Sequence, residues 1–338
     1  MTRPLVLVTG GAGFLGVQLC RFLLTQGFAV RSLDSRAPEA QAIDFVHGDI
    51  RDAAVVGQAM RGVGYVVHAA SAAPTASADD IYSTGVLGTW NVLQAALVHR
   101  VSRMVFVSSS AVYGTHEHHL MHEADELHGC GAYAESKIEA EYLSQGARLT
   151  GMCVSVLRCA DMIGPGRAGV FERLYHQASR GRHFPILGQG QQPCQALDIE
   201  DVCEAIYLCL VMRASLANDT FNLGSADFAS VRDTFQAVLD SAGYGKRVLS
   251  LPAAPAAAVL RLLDSMRLGS LCPWTADTVG VDSYLSVRHI DSKLEFRPRH
   301  SARAALVRNY TGYLRLHQQA GAKSAALTPS ARYEGVSP

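Results

Sequence analysis

The sequence predicts an α/β fold: a parallel sheet wound on both faces by helices, with a smaller C-terminal lobe. Three observations predict it. Short β-branched runs alternate strictly with helical patterns over the first half of the chain. The apolar runs "VLV" and "VFV" suit strands covered on both sides. A glycine-rich turn follows the first run directly, which is where a parallel sheet changes from strand to helix.

Taken in order, the strand-like runs are Pro4–Gly10, Phe28–Asp34, Ile43–Asp49, Gly64–Ala70, Arg103–Ser110 and Cys153–Arg158. Helical patterns fall between them at Leu15–Gln26, Ala53–Met60, Asp79–His99 and Ala132–Leu149. From about Gly164 the texture changes. "GPGRAG", "LGQGQQPCQ" and "NLGS" read as loops between helices, so residues 164–317 are expected to form the smaller lobe, with some segments returning to the sheet formed by 1–163. Residues 318–338, rich in Ala, Ser, Gly and Pro and without periodicity, are expected to be an unstructured tail.

Composition narrows the function classes. With 338 residues the chain can bury a sizeable core, and 49% of it is hydrophobic against 18% charged. Thirty basic side chains balance thirty acidic ones, so no overall field recruits nucleic acid or an anionic membrane. The eight cysteines form no CxxC pair and no framework, which suits reduced thiols and a cytoplasmic location. No run is long and apolar enough for an integral membrane segment; the nearest, Leu251–Leu271, is broken by prolines and charges and reads as an amphipathic helix.

"VTGGAGFLG" places Gly10, Gly11, Gly13 and Gly16 between the first strand and the first helix, with Phe14 and Leu15 opening that helix. Glycine allows the tight turn and lets backbone N–H groups approach a pyrophosphate, while the helix N-terminus offers positive potential. The second strand ends in Asp34, at the distance expected for an adenosine ribose contact. Its carboxylate favours NAD over NADP, against which Arg36 stands close behind, so NADP stays open. Asp49, followed by Ile50, ends the third strand. It reads equally as an adenine contact and as a cap ahead of Asp52. Ala69 and Ala70, closing the fourth strand, complete the expected cofactor contacts from this end of the sheet.

"GAYAESKIEAEYL" holds Tyr133 and Lys137 four residues apart, on one face if the stretch is helical. By itself this spacing is common on exposed helices. Combined with the glycine loop and "SSSAVYG" (Ser108–Gly114), the order of motifs resembles the extended short-chain dehydrogenase/reductase family, which includes NAD-dependent epimerases, dehydratases and 3β-hydroxysteroid dehydrogenases. The resemblance runs over about residues 4 to 316 and takes in "GTWNVLQAA" (Gly88–Ala96), "GPG" (Gly164–Gly166), "DIEDVCEAI" (Asp198–Ile206) and "FNLGS" (Phe221–Ser225). It implies a Rossmann-type domain in which Tyr133 is the acid/base, Ser109 holds the same substrate oxygen, and Lys137 makes the phenol acidic and also binds the nicotinamide ribose. Ser108 and Ser110 remain alternatives to Ser109. The resemblance also implies a homodimer built through the two long helices, Asp79–His99 and Ala132–Leu149.

Departures from the family pattern point to the substrate. Family dehydratases carry Asp-Glu after the serine or threonine; here Ser110 and Ala111 stand there, which disfavours dehydration by that route. An arginine that grips the substrate diphosphate in sugar-nucleotide members aligns with Cys194, and a second has no counterpart in "PWTADTVGVDSYLSV" (Pro273–Val287). Arg158, Arg167 and Arg182 are alternative phosphate ligands. Gly85 replaces a common Asn, and Cys159 replaces a proline. The expectation is therefore an NAD(P)-dependent oxidoreductase acting at a secondary alcohol or ketone of a small molecule that is not gripped as a diphosphate. The alternatives are a nucleotide-sugar epimerase and a silent NAD(P)-binding regulator. "HEHHLMH" (His116–His122) is read as a solvated or substrate-covering loop, and no metal is expected.

Overall fold

The first apolar run, β1 (Leu5–Thr9), becomes an interior strand of a seven-stranded sheet in this computed structural model, which describes residues 3–37, 43–114, 119–225, 227, 229–252 and 283–326. From β1 the chain passes through α1 (Phe14–Thr25), β2 (Ala29–Asp34), β3 (Asp44–His47), α2 (Ala53–Ala59) and β4 (Val63–His68). Next come α3 (Ala78–Tyr82), a π turn over Ser83–Gly88, α4 (Thr89–Val98), β5 (Arg103–Ser109), β6 (His119–Met121), α5 (Ala132–Leu149) and β7 (Cys153–Cys159). The later part contains β8 (Met162–Ile163), α6 (Val170–Ser179), β9 (Phe184–Leu187), β10 (Leu197–Asp198), α7 (Ile199–Val211), α8 (Ala214–Ala217) and β11 (Thr220–Leu223). It closes with α9 (Val231–Ser241), β12 (Val248–Leu251), β13 (Ser283–Leu285), α10 (Arg288–Leu294) and α11 (Ala302–Ala326).

The sheet order is β11-β7-β5-β4-β1-β2-β3, with every neighbouring pair parallel. Strand order reverses between β1 and β4, which opens a crevice at their C-terminal ends, the place where parallel sheets bind ligands. One face is covered by Leu15, Leu19 and Leu23 of α1 packed with Val202, Ile206 and Leu210 of α7. Each buried leucine contributes roughly 2 kcal/mol. The other face packs Val92 and Leu93 of α4 and Ala140 of α5 on Val66, Met104 and Phe106. Because both faces are covered, the strands carry apolar residues at successive positions instead of alternating ones.

A separate apolar cluster joins Leu174 and Tyr175 of α6, Phe235 and Leu239 of α9, Phe184 of β9, and Leu306 and Tyr310 of α11. Strand β11 pairs with β7 and α7 packs on α1, so segments beyond Gly164 do return to the sheet.

Helix α11 runs on to Ala326, past Gln318, where the sequence predicts the start of an unstructured tail. The run "QQAGAKSAA" lacks an apolar stripe, but Ala, Gln and Lys are strong helix formers that extend a helix already started by packing. Residues 327–338 lie outside the described residues, as does most of the Leu251–Leu271 stretch.

Candidate functional site

The glycine loop lines the β1–β4 crevice. Gly10 has φ +72 and donates to Leu33 O at 2.8 Å; a Cβ there would lie 2.8 Å from the Ala70 backbone and 3.0 Å from that of Ala69. A Cβ on Gly16 would strike the Gly10 carbonyl, so helix and loop touch through bare backbone. Gly13 leads into α1 in extended conformation, and no side chain caps the helix. Its first N–H groups are therefore left for a ligand.

Asp34 accepts from Ala12 N at 3.0 Å and from Arg36 N at 2.9 Å, which fixes its carboxylate beside the loop; Arg36 Nε is 3.9 Å away on an exposed side chain. This cradle of bare backbone and an open helix N-terminus fits a dinucleotide.

The remaining cofactor candidates are placed unevenly. Leu15 and Ile50 turn their side chains into the protein, so only their backbones are available to a ligand. Asn91 Nδ2 donates to Ile50 O at 3.0 Å and to Arg51 O at 2.9 Å, anchoring that loop. Asp49 is not the helix cap: Asp52 caps α2 by accepting from Ala54 N and Val55 N. Asp49 instead takes Arg51 Nη2 at 2.7 Å and Nε at 3.0 Å, and these bonds hold its carboxyl below the usual carboxylate range.

Ser109 ends β5, and its hydroxyl is near enough to the Tyr133 phenol, in the first turn of α5, to oppose the effect of burial on it. Lys137, one turn further, is buried. Its Nζ donates to Val107 O at 3.0 Å and lies 5.0 Å from the Phe106 ring centroid and 5.9 Å from that of Tyr133. Sequence reasoning has the ammonium make the phenol acidic, but the structure gives the opposite direction. Burial pushes the Tyr133 phenol up, with Ser109 and Arg167 opposing it, while burial lowers the ammonium to about 8. The reason is geometric: Lys137 is committed to a backbone carbonyl and an aromatic face, not to the phenolic oxygen.

The serine alternatives separate cleanly. Ser108 donates to Glu141 Oε1 at 2.5 Å, and Glu141 is also bound by Arg158 through Nη2 at 2.7 Å and Nε at 3.0 Å. Arg158 Nη1 continues to Tyr113 Oη at 2.8 Å, and Tyr113 donates to Asn222 Oδ1 at 2.7 Å. Arg158 is 3% exposed, so it is a structural cation and not the phosphate ligand allowed for from sequence. Glu141 follows Lys137 by four residues on the same helix face, a spacing that sequence reasoning missed.

Sequence reasoning also passed over His68, Asp161 and Phe106. His68 is fully buried, 2.6 Å from Thr9 Oγ1 and 2.9 Å from Thr89 Oγ1, and burial drives its pKa down to about 3. Thr89 in turn donates to Gly85 O at 2.5 Å in the π turn. A Cβ on Gly85 would lie 2.9 Å from Ser136 Oγ, so glycine there lets the turn approach α5. Asp161 is open to solvent, yet the protein around it pushes its carboxyl up. Cys159, the replaced proline, is buried with its thiol pushed up to about 12. Cys194, at the expected arginine position, has its thiol pushed up to about 11 and supplies no cation.

Among the described residues, the group able to converge on a metal is Asp198, Glu200 and His300. Arg308 already pairs with Asp198 at 2.6 Å and with Glu200 at 2.8 Å, so the carboxylates are neutralised by protein. His116, Glu117 and His118 of the histidine-rich loop lie outside the described residues. No helix among the described residues is long and apolar enough to cross a membrane.

Residues 6–224 match the NAD dependent epimerase/dehydratase family. The chain is 29% identical to an uncharacterized protein, y4nG, of Sinorhizobium fredii over 91% of this chain and 78% of the relative. It is 29% identical to 2-alkyl-3-oxoalkanoate reductase of Stenotrophomonas maltophilia over 70% of this chain and 76% of the relative. The solved structure of DesIV, a dTDP-glucose 4,6-dehydratase from Streptomyces venezuelae with NAD and TYD bound, superposes with a TM-score of 0.74 at 26% identity, covering 93% of this chain and 98% of that one.

Proposed function

Because the chain belongs to the NAD dependent epimerase/dehydratase family, we propose that it is an NAD-dependent oxidoreductase acting at a secondary alcohol or ketone of a substrate without a diphosphate. The observation that carries this reading is the pairing of the Ser109 hydroxyl with the Tyr133 phenol, with Lys137 Nζ 5.9 Å from the Tyr133 ring centroid. NAD supplies hydride donor and acceptor chemistry when bound. Gly10, Gly13 and Gly16 admit its diphosphate to the backbone, and Asp34 takes the ribose hydroxyls.

Tyr133 exchanges a proton with the carbinol oxygen, and Ser109 donates to the same oxygen as charge develops there. Burial raises the phenol above its ordinary pKa and so favours its protonated form, the one that donates. Lys137 lies one helical turn from Tyr133, its place fixed by Val107 and Phe106.

A nucleotide-sugar epimerase is the second reading, favoured by the likeness to DesIV, whose structure holds TYD. Against it stand Cys194 in place of a cation and Arg158 locked to Glu141. A silent NAD-binding regulator is the third. We place the protein in the cytoplasm as a homodimer: Tyr82, Leu87, Trp90 and Val98 on the α3–α4 run and Tyr142 and Leu149 on α5 are large exposed apolar side chains on neighbouring helices.

The test is to follow NADH absorbance with purified protein across secondary alcohols, ketones and nucleotide sugars, with mass spectrometry of the cofactor that copurifies. Turnover of an uncharged member with exchangeable NAD is the expected result. Firmly retained NAD with inversion of a nucleotide sugar would select the epimerase, and bound NAD without any turnover the regulator.

A further inference from the structure

A chain of buried side chains joins the glycine loop to the helix turn that carries Tyr133. Thr9, the last residue of β1, accepts from Ala70 N at 3.3 Å and so holds the Ala70 backbone beside Gly10. His68, its neighbour at the end of β4, lies 2.6 Å from Thr9 Oγ1 through Nδ1 and 2.9 Å from Thr89 Oγ1 through Nε2. Thr89 donates to Gly85 O at 2.5 Å, and a carbonyl can only accept, so the single hydroxyl proton of Thr89 is spent there. Toward His68, Thr89 therefore accepts. Nε2 then carries the imidazole proton, and the bare Nδ1 accepts from the Thr9 hydroxyl. Every bond points one way, from Thr9 through His68 and Thr89 to Gly85. The far end meets α5: a Cβ on Gly85 would lie 2.9 Å from Ser136 Oγ, and Ser136 donates to Tyr133 O at 2.8 Å. The His68 ring also packs on Phe106, 5.6 Å between centroids, and the Lys137 ammonium lies 5.0 Å from the same Phe106 centroid.

We propose that His68 is a positioning residue: it sets the glycine-loop crevice and the Tyr133 turn of α5 relative to one another, so that the phenol meets a cofactor bound in the crevice. The proposal rests on the reading of the crevice as a dinucleotide site and adds what aligns its two halves. Thr9 and His68 are 0% exposed and Thr89 is 1% exposed, so water cannot stand in for a lost partner. A bond missing from the chain leaves a buried polar group that the backbone must shift to satisfy. Thr89 pins the π turn through Gly85 O, and a shift of that turn reaches α5 directly, since only glycine fits between it and Ser136. The burial that takes the imidazole down to about 3 keeps it neutral, as the one-way chain requires.

The experiment is NMR of the full chain, beside fluorescence titration with NADH, in wild type, His68→Gln, His68→Leu and Thr89→Val. With isotope-labelled histidine at neutral pH, the wild-type His68 signals, identified by their loss in His68→Gln, are expected to show the neutral Nε2–H tautomer. With fluorotyrosine, the Tyr133 fluorine signal, identified by its loss in Tyr133→Phe, reports the place of that ring, and NADH is expected to shift it. His68→Leu and Thr89→Val, which break the chain, should reduce that shift by about half or more, and His68→Gln, which keeps a donor and an acceptor, should restore it. NADH affinity should stay within about threefold throughout. An Nδ1–H tautomer in wild type overturns the proposal, and so does a full NADH shift in the broken variants or a His68→Gln as impaired as His68→Leu. Should His68→Leu fail to fold, Thr89→Val, which removes one hydroxyl and keeps the shape, decides alone. Failure of NADH to bind wild type would instead sink the dinucleotide reading. The unliganded Tyr133 signal then decides the role of His68: displaced in Thr89→Val but not in His68→Gln upholds it, and unmoved in both overturns it.

Discussion

Ser108 donates to Glu141 Oε1 at 2.5 Å, and that bond removes it from the chemistry of the site. Of three adjacent serines, Ser109 is the one whose side chain acts on the Tyr133 phenol. Ser109→Ala is expected to lower turnover by about 10² to 10³ with NAD affinity unchanged, because it removes a donor to the developing alkoxide. Ser110→Ala should leave turnover near wild type. Steady-state kinetics with NADH fluorescence titration separates the two; equal losses would contradict the assignment.

The Glu141–Arg158 pair is buried at both ends, with side chains 0% and 4% exposed. Removing one partner strands the other, so Glu141→Ala should lose about 3 to 5 kcal/mol of unfolding free energy in urea. Replacing both residues together, Glu141→Leu with Arg158→Met, should recover most of that loss. A double variant as unstable as the single one would mean that the pair is not the unit that matters.

Gly10 combines a positive φ with the Ala70 backbone pressed against it. Gly10→Ala should therefore weaken NADH binding at least about tenfold while costing on the order of 1 to 3 kcal/mol in stability. Fluorescence titration beside thermal melting reads both, and unaltered NADH affinity would count against the loop as the cofactor cradle.

Stability should also depend on pH through His68. Its pKa falls from the ordinary 6.5 to about 3 in the fold, so between those values the unfolded chain takes up a proton that the folded one refuses. Stability is then full above pH 6.5 and lost as pH falls toward 3, by on the order of 5 kcal/mol. His68→Gln, which keeps a donor and an acceptor for Thr9 and Thr89, should flatten that slope by one proton. Urea unfolding at a series of pH values measures it.

The sheet and the cofactor loop were legible because their signals are local. "VLVTGGAGFLG" carries strand, turn and helix in one stretch, and Tyr133 and Lys137 share a helix face by spacing alone. What the sequence could not convey depends on contacts between distant segments. The Ser108–Glu141–Arg158–Tyr113–Asn222 chain joins five elements or loops, and only their packing shows that Arg158 is spent on structure. The direction of the Tyr133 shift was misjudged for a similar reason, since spacing brings Lys137 near the ring but the Val107 carbonyl decides where its charge points.

The account depends most on Tyr133 as the group that moves the proton. Replacing it with phenylalanine removes one oxygen and should leave NADH affinity within about twofold. Single-turnover hydride transfer, followed by NADH absorbance on a panel substrate that wild type converts, should fall by about 10² to 10⁴. Undiminished transfer in Tyr133→Phe would contradict the account.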